Sequence, residues 1–291
     1  HLVQITKHLT NKVLSLLKSL ANNEPETYEK VWSHYSAAIK FGFKEDEGNK
    51  DKLAELLRFY TSFNAPKTGG KKDDKKFHLT SLAAYVERMK TGQKSIFYCM
   101  GPSSEEILKS PFAEGVLQRG YEIMLLDEPF DQFVLQTLNE YKDFKFQDIS
   151  KGEISYGDEE GEKKSIEHFK EEFKPLMDWM LELLKNEIDT VNISKKLTKT
   201  PLAVTCKDFG MSGYMMKLMA AQSGSKDNPY VNFLSGMKKT LEINPTHPVV
   251  VALNGQLKEG TEVNEDLKAM AKIMFDAAMI SSGYDLKDSS S

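Results

Sequence analysis

Apolar residues recur with a helical period along the first sixty positions. Leu2, Ile5, Leu9, Val13, Leu16, Leu17 and Leu20 predict a helix over 2–20, which Asn22-Asn23-Glu24-Pro25 stops. Tyr28, Val31, Trp32, Tyr35 and Ile39 mark a second helix from Pro25, closed by Phe41-Gly42-Phe43. Leu53, Leu56, Leu57, Tyr60 and Phe63 mark a third over 49–63. Three consecutive amphipathic helices predict a helical coil over 1–63. The stretch APKTGGKKDDKKFH (65–78) then breaks every period. With two glycines, a proline and mostly charge it cannot bury enough surface to pack, so it reads as an exposed loop, cut first by trypsin.

A helix opens at Thr80-Ser81-Leu82 and runs through Met89, after which the period shortens. Residues 95–100, 121–126 and 144–149 read as strands, with helices over 104–119 and 129–141 between them. Strand alternating with helix predicts a small three-stranded parallel α/β unit over 79–150. KGEISYGDEEGEKKS (151–165) reads as an acidic linker and a domain boundary. Beyond it the pattern predicts a helix over 166–185, strands over 188–194 and 202–206, and helices over 212–222 and 229–239. A last helix spans 263–281, with Val263, Leu267, Met270, Ile273, Met274, Ala277 and Ile280 on one face. Residues 166–291 therefore read as a mixed α+β domain, and the chain as α/β plus α+β.

Composition adds limits. The chain has 291 residues, enough for about two domains, with 40% hydrophobic and 28% charged residues. A net charge of −4 gives no global basic field for nucleic acid. No apolar run approaches the roughly 18 residues of a membrane span. Cys99 and Cys206 are far apart and read as buried thiols. The six histidines form no HExxH or HxH pattern, so no metal site is expected. His1-Leu2-Val3 enters a helix directly, as expected of a piece of a longer protein.

SIFYCMGPSSEE (95–106) has the strand, turn and helix order of a nucleotide site. Yet the turn Gly101-Pro102-Ser103-Ser104 holds one glycine where a dinucleotide fingerprint needs three, and Pro102 has no N–H to offer a phosphate. Asp127, at the end of the next strand, is the one feature in favour. Ser103 or Ser104 as helix cap, with Glu105 and Glu106 at the positive helix end, explains the rest. Asn192-Ile193-Ser194 is a possible glycosylation sequon at Asn192, although Val191 and Ile193 place it in a strand.

Several stretches taken together resemble the heat-shock protein 90 chaperones. They are LAELLRFYTS (53–62), LTSLAAYVERMKTGQKSIFYCMG (79–101), SPFAEGVLQRGYEIMLLDEPFDQFVLQTLNEY (110–141), LTKTPLAVT (197–205), LEINPTHPVV (241–250) and FDAAMISSGYDL (275–286). Their order and spacing match over nearly the whole chain. EEFKPLMDWM (171–180), FKFQDISKG (144–152) and Ser212-Gly213 are more similar to the endoplasmic-reticulum branch than to the cytosolic one.

The resemblance implies that residues 1–150 are the later part of a middle domain and 166–291 a C-terminal dimerisation domain. It implies an ATP-dependent chaperone that binds unfolded or partly folded clients as a homodimer, in the endoplasmic-reticulum lumen or, alternatively, the cytoplasm. Co-chaperones are further partners. The family's ATP and magnesium site lies in another domain, and its catalytic arginine just before His1, so this piece is not expected to hydrolyse ATP or hold a cofactor. The family's final helix, after SGYDL, is expected to be missing, which would weaken the dimer. Clients would meet Met211, Met215, Tyr230, Phe233, Leu234 and Met237, where unbranched methionine suits a surface that re-packs. Met211 stands where many members carry tryptophan. The dimer would use Leu267, Met270, Ile273, Met274, Ala277 and Ile280. A nucleotide-using α/β enzyme and a scaffold without client activity are the competing readings.

Overall fold

The computed structural model describes residues 2–66, 77–157, 159–207, 210–222, 229–260 and 263–286. Most of the charged loop at 65–78, and Ser223, Gly224 and Ser225 beside the predicted client element, lie outside the described residues. In chain order the elements are α1 (Leu2–Asn23), α2 (Pro25–Glu45), α3 (Lys50–Ala54), β1 (Phe59–Thr61), β2 (Leu79–Thr80), α4 (Leu82–Arg88), β3 (Ser95–Met100), α5 (Ser104–Lys109), α6 (Pro111–Gln118), β4 (Met124–Leu126), α7 (Phe130–Leu138), β5 (Glu140–Tyr141) and β6 (Phe144–Asp148). Then follow α8 (Glu159–Glu172), α9 (Lys174–Leu183), β7 (Ile188–Ile193), β8 (Leu202–Thr205), α10 (Gly213–Gln222), α11 (Pro229–Gly236), β9 (Lys239–Ile243), α12 (Pro248–Lys258) and α13 (Glu265–Ser281). The fold is mixed, as its periodicities predict. Two compact units emerge: His1–Thr91 with Ser95–Tyr98 and Glu122–Gln147, and Gly92–Lys94 with Cys99–Tyr121 and Asp148–Ser291.

The first unit carries a six-stranded sheet in the order β2-β1-β4-β3-β6-β5. The three predicted strands are its inner neighbours β4, β3 and β6, but the predicted three-stranded parallel sheet is too small. β1 and β2 pair antiparallel with each other, β1 pairs antiparallel with β4, and β5 turns back on β6. The predicted helix over 49–63 stops at Ala54 because Phe59-Tyr60-Thr61, aromatic and β-branched, is taken into the sheet. The predicted helix over 129–141 stops at Leu138, where Asn139 turns to positive φ, and Lys142 and Asp143, also at positive φ, close the β5–β6 hairpin. Tyr28 of α2 donates to the Leu56 carbonyl at 2.6 Å, and buried Lys40 pairs with Asp131 of α7 at 2.6 Å. On α1 the buried residues are Leu14 and Ala21, so Ile5, Leu9, Val13 and Leu16 of the predicted stripe face solvent.

The second unit is built on a three-stranded sheet, β7-β9-β8, with β9 parallel to β7 and antiparallel to β8. Central β9 and helix α12 have no counterpart in the predicted elements, and the predicted helix over 229–239 ends at Gly236. One sheet face is apolar: Val191, Ile193, Leu202, Val204, Leu241 and Ile243 pack against Phe173, Leu176 and Met180 of α9 and its N-cap, Leu253 of α12 and Phe275 and Met279 of α13. The predicted helix over 166–185 is two helices that meet at Phe173, and α8 begins at Glu159, inside the predicted linker. The predicted helix over 104–119 breaks at Ser110-Pro111, where Ser110 caps α6.

Edge strand β8 is closed by Ser282, whose hydroxyl accepts from the Val204 N–H at 2.8 Å. Loop 194–200 is held from α6. The Glu114 carboxylate accepts from the backbone N–H groups of Thr198, Lys199 and Thr200 at 2.9–3.1 Å and from the Thr200 hydroxyl, while the Gly115 N–H donates to the Lys196 carbonyl at 2.6 Å.

Candidate functional site

Two surfaces of the second unit hold the residues the sequence singles out. The first is α13. Asn264 caps it by accepting from the Leu267 N–H at 2.9 Å. Ala271, Phe275, Ala278 and Met279 are buried, and Leu267 and Met274 pack partly against the same core. Met270 (40% exposed), Ile273 (68%) and Ile280 (59%) face away from it together with Ala277. These four are spaced i, i+3, i+7, i+10, the period of a helix–helix seam. The helix therefore carries two apolar stripes, one covered and one open, and the predicted set divides between them.

The second surface is the α10–α11 pair. Met211, Met216, Leu234, Met237 and Tyr284 line a cleft of about 260 Å³, with Lys207 and Asp189 at its rim. Tyr230 and Phe233 stand outward on α11, 55% and 68% exposed, while Met215 is half-buried and does not line the cleft. Buried Lys239 steadies the end of α11. Its ammonium donates to the Ser235 and Met237 carbonyls at 3.4 and 3.3 Å and lies 5.2 Å from the centre of the Tyr284 ring. Burial, then the Cys206 thiol that faces it, holds the Tyr284 phenol well above its usual range. Of the large side chains on the wall, Tyr284 and Met216 are absent from the predicted set, as are Cys206, Gly210, Lys238 and Lys239, which also line the cleft. Met216 belongs to the visible methionine cluster, whereas nothing in the local pattern connects Tyr284 with residues 211–237.

The turn at Gly101–Ser104 is a structural cap. Ser103 accepts from the Glu106 N–H at 3.2 Å, and a side chain at Gly101 would fall 2.6 Å from Ile107. Asn192 is half-buried on β7. Among the described residues no His, Cys, Asp or Glu group is arranged to hold a metal ion, and no helix is long and apolar enough to cross a membrane.

A family model described as Hsp90 protein matches residues 1–291. The chain belongs to the Hsp90 family. It is 40% identical over 288 residues to the endoplasmin homolog of Caenorhabditis elegans, covering 98% of this chain and 36% of that protein. It is 35% identical over 305 residues to the endoplasmin homolog of Hordeum vulgare and 35% over 306 residues to that of Arabidopsis thaliana, again covering 98% of this chain and 36% and 35% of theirs. This Hsp90 chain thus spans about a third of the length of these relatives.

Proposed function

We propose that this chain is the client-binding and self-associating part of an ATP-dependent chaperone that holds unfolded or partly folded proteins as a homodimer. The observation that carries the reading is α11, which presents Tyr230 and Phe233 to solvent beside a methionine-walled cleft. Exposed aromatic groups over polarizable, unbranched side chains suit partners of varied shape. Met211, Leu234 and Met237 supply the wall, with Met215 on the neighbouring turn, and Met211 does so without the indole many family members place there. Suppression of aggregation of a thermally unfolding test protein is the assay. The chain should slow aggregation, and Phe233→Ser with Tyr230→Ser should remove most of that effect. Equal protection by the double variant would remove α11 from the reading, and no protection by either would favour a scaffold without client activity.

Self-association is assigned to the open stripe of α13, with Met270, Ile273, Ala277 and Ile280 meeting a second copy and Leu267 and Met274 supporting them from within. A two-fold contact of this kind is self-complementary. Ile273→Glu should leave folding stability within about 0.5 kcal/mol, since the side chain is exposed, while shifting sedimentation towards monomer. Unchanged sedimentation would place the contact elsewhere. ATP and magnesium, and co-chaperone contacts, belong in this reading to the longer protein, and the endoplasmin homologs favour the endoplasmic-reticulum lumen over the cytoplasm. The middle-domain part at 1–150 and dimerisation domain at 166–291 are part of the same proposal. Tight stoichiometric nucleotide binding at Gly101–Ser104 would support the competing enzyme reading.

A further inference from the structure

The face of the three-stranded sheet opposite its apolar core is polar, and it forms the floor of a second cleft of about 450 Å³. Register aligns three threonines across that floor. Thr190 lies opposite Thr240 on the β7–β9 pair, and Thr205 opposite Thr240 on the β8–β9 pair. Neighbouring strands lie about 4.8 Å apart, so the three side chains form an evenly spaced row. In the next row Asn192 lies opposite Glu242. Thr205 is 1% exposed and Thr240 8%, and both line the cleft. Among the described residues neither hydroxyl, nor the Asn192 amide, has a side-chain hydrogen bond. Thr190 donates to Asp189 at 3.0 Å.

The wall is equally specific. Gly152, Glu153 and Ile154 line one side. This segment is held by Lys196, which donates to the Ile149 and Gly152 carbonyls at 3.2 and 2.9 Å and pairs with Glu242 at 3.0 Å. A backbone bond from the Gly152 N–H to the Cys206 carbonyl at 3.1 Å ties it to the end of β8. At the rim Lys207 is paired with Asp189 at 2.8 Å.

The charges therefore largely cancel in place. Lys196 is matched by Glu242, Lys207 by Asp189, and Lys195 approaches Glu162 at 3.8 Å. The valences left open towards the cleft are two hydroxyls and a primary amide, groups that both donate and accept. An array of hydroxyls and an amide open towards a cleft matches a ligand that brings donors and acceptors of its own. Among the described residues no aromatic side chain lines the cleft, and the recognition argued here rests on hydrogen bonds.

We propose that this cleft binds a small, neutral, hydroxyl-rich molecule, a polyol or a monosaccharide. The threonine row and Asn192 would contact its hydroxyls, with the Lys196–Glu242 pair fixing the wall. The test is an amide NMR titration of the chain with myo-inositol and with glucose, following residues 190, 192, 205 and 240, with inorganic phosphate as a third probe. Saturable shifts confined to the cleft are expected for at least one of the two neutral probes. Binding should weaken several-fold, up to about tenfold, in Thr205→Val and in Thr240→Val, as a lost hydrogen bond requires. Asn192→Ala, half-exposed and easily accommodated, repeats the test if a buried variant fails to fold. Shifts that rise linearly without saturation and persist in the variants would mean general exclusion of polyols from the surface and would overturn the assignment. Saturation by phosphate alone would overturn it as well, since the site would then be anionic.

Discussion

Alanine at a glycine inside a helix ordinarily stabilises by about 1 kcal/mol, because glycine loses more backbone freedom on folding. The structure predicts opposite outcomes at two helical glycines of the same unit. Gly115 sits in α6 against loop 194–200. A Cβ there would fall on the Lys196 carbonyl oxygen, 2.9 Å from its carbon and 3.0 Å from its Cα. These are backbone atoms, so no rotamer change relieves the overlap; α6 and the loop must separate. Separation stretches the Gly115–Lys196 hydrogen bond and the bonds that Glu114 accepts from Thr198, Lys199 and Thr200. Each is worth about 1 kcal/mol net, and overpacking itself costs about 1–3 kcal/mol. After the helix gain is credited, Gly115→Ala should destabilise the second unit by roughly 1–3 kcal/mol. At Gly255 of α12 a Cβ meets nothing within 4 Å, so Gly255→Ala should stabilise by up to about 1 kcal/mol. Urea melts followed by Trp179 emission, in a Trp32→Phe background that leaves one tryptophan, read the second unit. An unchanged or raised midpoint for Gly115→Ala would refute the reasoning, as would both variants moving the same way.

Three further outcomes follow from the same contacts. Burial raises the Glu114 carboxyl, but the Thr200 hydroxyl and three backbone donors outweigh it and hold the group below its usual 4.5; its stabilisation is full above pH 4.5 and lost as pH falls through the depressed folded value, so acid melts of Glu114→Gln should show less pH dependence than wild type over that range. Lys196→Met leaves Glu242 buried without its partner and should cost about 3–5 kcal/mol, whereas Lys196→Met with Glu242→Leu should recover much of that in chemical denaturation. Burial pushes both the Cys99 and Cys206 thiols up, so a thiol reagent at pH 8 should label neither in the folded protein and both after denaturation, as read by mass spectrometry.

Much of the architecture is a local property of the chain. Pro25 opening α2, Ser81 and Ser103 capping α4 and α5, and the apolar period of α13 are readable because the groups that satisfy one another lie within a few residues. The candidate surfaces are readable to the same depth: the methionines and aromatics of 211–237 and the stripe of 263–281 are visible as residue types at a spacing. Which of the two α13 stripes is covered depends on where β8 lies, and the sequence pattern carries no such information.

The central strand of the second sheet escapes the pattern for a physical reason. In β9 every residue is buried, yet Lys239, Thr240 and Glu242 are polar, so no alternation marks a strand. Their burial is tolerated because partners arrive from far along the chain: Lys196 and Ser194 satisfy Glu242, and the Tyr284 ring lies beside Lys239. A buried charge is acceptable only with such partners, and they exist only once β7, β8 and β9 are side by side. The threonine row is the plainest case. Thr190, Thr205 and Thr240 are unremarked residues on three separate strands, and strand register alone, set by burial of the opposite face, makes them neighbours.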